Sequence, residues 1–204
     1  MSEQPKSKVR ALFARFQYNA PVILTFTLLS FLTLVLGRIT KGASTDTLFC
    51  VYRSRLFDPM MYIRMFTHIL GHADYNHFLG NFTVILLVGP MLEEKYGSKQ
   101  LLEMIVVTAF VTGLVQVLFF PGTALLGASG IAFMLILLSS FANYQKGRIP
   151  ITLILVAIIY LSGEIMDGLF QKDNISQMGH IIGGICGCVF GWFISRKNSE
   201  GAEA

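Results

Sequence analysis

Apolar and polar positions divide the 204-residue chain into six long apolar blocks separated by polar segments. The blocks run from Ala20 to Gly37, Asn76 to Leu92 (with a polar beginning), Leu101 to Phe120, Leu125 to Asn143, Ile149 to Phe170 and Met178 to Ser195. A helix needs roughly 20 mainly apolar residues to cross ~30 Å of hydrocarbon, so each block predicts a transmembrane helix. Pro121-Gly122 is a turn signal between the third and fourth blocks. Lys146 to Pro150 is another, with Pro150 suited to a helix start. The expected fold is all-α: a polytopic membrane protein with one six-helix bundle over residues 20–195. Tails 1–19 and 196–204 flank it, and a long first loop covers 38–75.

Composition agrees with the pattern. Apolar residues make up 53% of the chain and charged residues only 14%, where soluble domains carry about a quarter charged. The net charge of +4 is scattered, with no dense basic patch to engage nucleic acid. Its distribution sets an orientation. Lys6, Lys8, Arg10, Arg15, Lys95, Lys99, Lys146, Arg148, Arg196 and Lys197 fall on one side of the predicted bundle. The short loops on the other side hold only Lys172. The positive-inside rule then places both termini in the cytoplasm. Arg38, Lys41, Arg53, Arg55 and Arg64 in the first loop run against the rule. That loop mixes apolar and polar residues, and it is expected to lie partly in the outer interface. Cys50, Cys186 and Cys188 form no CxxC and read as free. The first block begins about twenty residues in, lacks a small-residue cleavage site and reads as a true span.

The polar residues inside the blocks carry the candidate chemistry. With the termini inside, the second, fourth and sixth spans all run from outside to inside. Ser129 lies near the start of the fourth, His180 near the start of the sixth, and His77 and Asn81 near the start of the second. All four therefore share a depth just below the outer surface. Intramembrane polar groups are costly and face a bundle interior or a water-filled cavity. A serine hydroxyl becomes a nucleophile when a base lies within hydrogen-bond reach, and His180 is the candidate base. The backbone at Ser129, together with His77 and Asn81, would supply oxyanion donors. No acidic residue is evident behind His180, so the pattern is a dyad. Gly179, Gly183, Gly187 and Gly191 form a small-residue stripe that permits close helix approach to the Gly127–Gly130 end of the fourth span. Taken alone, Ser129 would more often be a packing residue. His68 and His72 sit four apart, but no HExxH occurs and no neighbouring carboxylates complete a metal site, so no metal or organic cofactor is required. His68 is expected to pack or hydrogen-bond beneath the first loop, and His72 to line a water cavity. Glu93 and Glu94 read as solvated or as capping the inner end of the second span, with Glu93 also placed to tie the loop down to Lys95. Glu164 and Asp167 read as solvated at the outer end of the fifth or as linked to the first loop.

The motifs GASG (127–130), HADYNHFLGN (72–81) and GHIIGGICG (179–187), in this order across six spans, resemble the rhomboid intramembrane serine proteases. The resemblance implies Ser129 as nucleophile, His180 as general base and acid, and His77 and Asn81 as oxyanion donors. Gly127, Gly130, Phe133 and Gly183 would support them. Phe133 stands where the family often has a tyrosine stacked on the base. Glu93 and Arg64 match structural positions of the family, and Ile63 replaces the tryptophan of a common Trp-Arg pair completed by Arg64. The implied activity is hydrolysis of peptide bonds in or near transmembrane segments of other membrane proteins, the substrates entering laterally beside the fifth span. Partners would be transmembrane substrates and membrane lipids. The short six-span form, without extra helix or targeting peptide, resembles bacterial members and implies a bacterial inner membrane. Two other classes compete. An inactive rhomboid-like binder of transmembrane clients usually lacks the serine or the histidine. A small transporter needs polar groups in the inner halves of spans two, four and six, which are almost purely apolar.

Overall fold

The computed structural model of the protein describes residues 17–141, 148–156, 158–159 and 174–201, with side chains over 177–196 in the last segment. Helix α1 (Pro21–Ile39) is followed by the short α2 (Ala43–Leu48), strand β1 (Val51–Tyr52) and α3 (Pro59–Thr67). A single 3-10 turn (His68–Leu70) leads to α4 (Tyr75–Tyr96), α5 (Ser98–Phe119), β2 (Ala124–Leu125) and α6 (Ser129–Ser139). After Pro150 the chain is helical at 151–156, and α7 (Asn174–Gly201) ends the described fold.

Local chemistry explains the boundaries. Asp58 caps α3 by accepting the Met60 N–H at 2.9 Å, with Pro59 in its first turn. Asp74 caps α4 in the same way, accepting the His77 N–H at 2.8 Å. Gly97, at φ 85°, breaks the chain between α4 and α5. The first loop is thus largely structured: β1 pairs antiparallel with β2, Val51 opposite Leu125 and Tyr52 opposite Ala124.

Helix α6 lies at the centre, packed against α4, α5 and α7. Ile131, Met134, Leu135 and Leu138 are fully buried, and a helix apolar on every side is a buried helix. Around it the core gathers Ile23 and Phe26 from α1, Phe82 and Ile85 from α4, and Leu101, Ile105 and Ala109 from α5.

Three expectations change. The fourth block was expected to be helical from Leu125, but residues 124–125 are a strand and α6 has 11 residues. At ~1.5 Å per residue it reaches roughly half-way across the hydrocarbon. Among the described residues, three helices are long and apolar enough to cross a membrane: Pro21–Ile39, Ser98–Phe119 and Gln177–Arg196. Helix α4 matches α5 in length, but His77, Asn81 and Glu93 interrupt its apolar surface. Most of the fifth block, with Glu164 and Asp167, lies outside the described residues.

Glu93 is the third change. Glu94 is exposed, but Glu93 is buried. Helix α1 has no side-chain cap of its own at Ala20. Glu93 provides one from α4: Oε1 accepts the Val22 N–H at 2.9 Å and Oε2 accepts the Ile23 N–H at 3.0 Å. The Ser98 hydroxyl donates to Oε1 at 2.7 Å. One carboxylate therefore joins the starts of α1 and α5 to the end of α4, using donors that a helix start leaves over. Glu93→Gln turns one acceptor into a donor facing a donor. It is expected to cost on the order of 2 kcal/mol, read as a lowered Tm in detergent, whereas Glu94→Gln leaves Tm unchanged.

Candidate active site

Ser129 is the first residue of α6, and the N-cap residue Ala128 makes no side-chain cap. The N–H groups of that first turn have no acceptor within the helix and carry its positive dipole end. Just before them Gly127 adopts φ +121°, which disfavours any side chain. A Cβ at Gly127 would also come within 2.7 Å of His77 Nε2 and 3.6 Å of Asn81 Nδ2. These two donors of α4, one turn apart, therefore lie directly over the loop that enters α6.

Helix α7 meets the same end of α6 from another side. The His180 ring stacks flat on Phe133, with centroids 4.4 Å apart and planes 4° from parallel. Phe133 is one helical turn beyond Ser129, so the imidazole is anchored to the helix that carries the hydroxyl. Below it Gly183 rests on the carbonyl of Gly130, Gly187 on the carbonyl of Met134 and Gly191 on the ring of Phe141, each too close for a Cβ. The four-residue interval from Gly183 to Gly187 matches that from Gly130 to Met134, giving backbone contact over one turn of both helices, and the ring stack and the glycines together fix the register of α7 on α6.

The first loop builds the remaining wall. The Gly127 N–H donates to the His68 carbonyl at 3.0 Å. The Ala128 N–H points to His72 Nε2 at 3.4 Å, and Asn81 Nδ2 lies 3.2 Å from the same nitrogen. His72 borders a cavity of about 380 Å³ under the end of α1, but its ring is buried and bonded at both nitrogens, Nδ1 facing the Leu70 carbonyl at 3.2 Å. His68 lies beneath the loop, its Nδ1 3.1 Å from the Arg64 carbonyl and its Nε2 3.2 Å from the Thr112 hydroxyl. Arg64 is buried with its guanidinium 3.1 Å from Asp58 and 4.1 Å above the Tyr52 ring, stitching α3 to β1. Thr112 was missed in the sequence, although Thr108, Thr112 and Gln116 mark one face of α5 at helical spacing, and all three are buried.

Burial pushes both His68 and His72 down to about 4, for His72 with help from the nearby His77. Both rings are therefore neutral at neutral pH, with one nitrogen donating and the other accepting.

Among known proteins, a model of the Rhomboid domain matches residues 59–197. The chain is 28% identical over 141 residues to a protein of Haemophilus influenzae named rhomboid protease GlpG, covering 67% of this chain and 72% of that one. It is 30% identical over 155 residues to RHOMBOID-like protein 1 of Arabidopsis thaliana, covering 69% of this chain. It is 24% identical over 140 residues to Rhomboid-related protein 1 of Caenorhabditis elegans, covering 64%. The chain spans 39% of the length of each of these last two. The long apolar helices and this match define an integral membrane protein. The chain belongs to the rhomboid family.

Two outcomes are expected from the site's packing and charge. Gly183→Val drives a branched side chain into the Gly130 carbonyl. Overpacking of this kind costs on the order of 1–3 kcal/mol, with the ring stack of His180 disturbed. Ile181→Val, which only trims a half-buried side chain, is expected to cost about 1 kcal/mol or less. Thermal melts in detergent compare the two. The second outcome concerns pH. His68 and His72 bind protons near 4 when folded and near ~6.5 when unfolded. Their neutral forms thus stabilise the fold above pH ~6.5, and that contribution is lost as pH falls toward 4, on the order of 3 kcal/mol for each ring. Between pH 7 and pH 4 the Tm of His68→Gln is expected to fall less steeply than that of wild type, and an equal or steeper fall in the variant would overturn the assignment.

Proposed function

We propose that the protein is an intramembrane serine protease that hydrolyses peptide bonds in or near the transmembrane segments of other membrane proteins. The observation that carries the reading is the convergence on one end of α6. Ser129 opens that helix, His180 stacks on Phe133 one turn along it, and His77 and Asn81 lie over Gly127. In the proposed reaction His180 takes the Ser129 hydroxyl proton as Oγ attacks the scissile carbonyl carbon. The negative oxygen that forms is met by the Ser129 N–H, the His77 ring N–H and the Asn81 amide. The C–N bond then breaks, and the imidazolium gives its proton to the departing amine. Water hydrolyses the remaining ester, with His180 again as base, and restores Ser129.

A helical substrate hides its carbonyls in its own hydrogen bonds, so the segment cleaved must unwind, and small or helix-breaking residues near the scissile bond favour that. The proposed protease domain is residues 20–195, with six spans completed by the segment 149–170. Both termini are cytoplasmic and the site opens to the outer side of a bacterial inner membrane. The basic residues on the inner loops support this orientation.

The test uses the full chain in detergent or liposomes with a panel of tagged single-span proteins. Wild type is expected to cleave at least one and to be labelled at Ser129 by a fluorophosphonate. Ser129→Ala should lose both, with cleavage reduced by several powers of ten and an unchanged Tm. Cleavage by Ser129→Ala at near the wild-type rate would overturn the serine mechanism. A folded wild type that neither cleaves nor labels would be a client-binding rhomboid relative.

A further inference from the structure

We infer that His72 is a positioning residue: through its Nε2 lone pair it sets which way the Asn81 amide faces and holds the Ala128 peptide at the entrance to α6. This inference rests on the proposed protease reading for its catalytic meaning, but its structural content follows from hydrogen-bond polarity alone.

Two backbone groups decide the polarity. The Leu70 carbonyl can only accept, so the His72 Nδ1 facing it at 3.2 Å carries the ring proton. The Ala128 N–H can only donate, so the Nε2 facing it at 3.4 Å presents a lone pair. Both conditions are met by one neutral tautomer. Asn81 then has no choice. With a lone pair 3.2 Å away, it must turn its NH2 group, not its carbonyl oxygen, toward His72. One N–H is used on Nε2. The other stays on the Gly127 side, where Asn81 Nδ2 lies 3.6 Å from the place a Cβ would occupy. A flipped amide would aim its oxygen there and repel an oxyanion. His72 also lies edge-on to His77, with ring centroids 5.1 Å apart, and packs on Phe78 and Phe82. Its ring is thus held from three sides while it orients its neighbour.

The test has a spectroscopic arm and a kinetic arm. In protein labelled with 15N-histidine, the His72 ring is expected to be protonated at Nδ1 and bare at Nε2 at neutral pH, and Asn81→Ala should shift the Nε2 resonance. A ring protonated at Nε2, or an Nε2 signal indifferent to Asn81→Ala, overturns the inference whether or not the protein cleaves anything. In the kinetic arm His72→Phe keeps the bulk and loses the lone pair, whereas His72→Gln offers an acceptor oxygen in its place. His72→Phe is expected to lower kcat by roughly 10- to 100-fold, short of or near the loss of an oxyanion donor, with KM within about two-fold because the interaction matters only in the transition state. His72→Gln should recover most of that loss. In an Asn81→Ala background His72→Phe should cost no more than about three-fold, since two residues acting through one contact are not additive. If Phe and Gln lower kcat equally, or the losses add in full, His72 does not act through Asn81. Should His72→Phe fail to fold, His72→Gln and the ring resonances decide. A wild type with the expected tautomer but no cleavage would sink the protease reading and leave the orientation of Asn81 established.

Discussion

The backbone contact between α6 and α7 is the constraint on which the site depends. Lipid is as apolar as leucine, so burial gives membrane helices little reason to choose one another, and close packing must supply it. Gly183, Gly187 and Gly191 let α7 lie on the carbonyls of Gly130 and Met134 and on Phe141. The contact begins one residue after Ser129 and three residues after His180, so any drift in the angle or register of the helices is felt first at those two side chains. The same helix pair thus carries the fold's closest packing and its candidate chemistry, and the Phe133–His180 stack is where the two meet.

The polar groups follow a second logic, in which several buried donors and acceptors are answered by residues from a distant part of the chain. Glu93 answers the start of α1 across 70 residues of sequence. His68 answers Thr112, and its carbonyl answers Gly127. His72 answers Ala128 and Asn81. Where water is scarce an unanswered group is costly, so the pairs made by His68 and His72 hold the first loop against α4, α5 and the start of α6.

That logic marks the limit of what the sequence made legible. Helical period, basic loops and the glycine stripe are repeating signals, and they brought Ser129, His180, His77 and Asn81 to one end of a bundle. The matching roles of Glu93 and His72 are single residues with partners far away in the chain, and no local pattern betrays them. Glu93 reads in sequence as a solvated or capping helix-end carboxylate beside Glu94 and Lys95, because nothing local names the start of α1 as its partner. The start of α6 was hidden for a different reason. Ala124 and Leu125 are as apolar as the helix that follows, and an apolar run does not tell a short strand from a helical turn. Only the pairing with Val51 and Tyr52, from the far side of the first loop, distinguishes them.

That strand has a chemical consequence. Had the helix begun at Leu125, the Ser129 N–H would have donated to the Leu125 carbonyl four residues back, as in any α-helix. Its bond would be spent and the dipole end would lie a turn away. Because β1 draws residues 124–125 into a ladder and Gly127 turns sharply at φ +121°, the helix starts at Ser129 itself. The nucleophile proposed here therefore sits in the first turn, where its own N–H is uncommitted within the helix and the dipole favours negative charge. The first loop thus does more than cover the bundle. By pairing with the segment before α6, it delays the helix by one turn, and that turn leaves the Ser129 N–H without an acceptor within its helix, as the proposed oxyanion role requires.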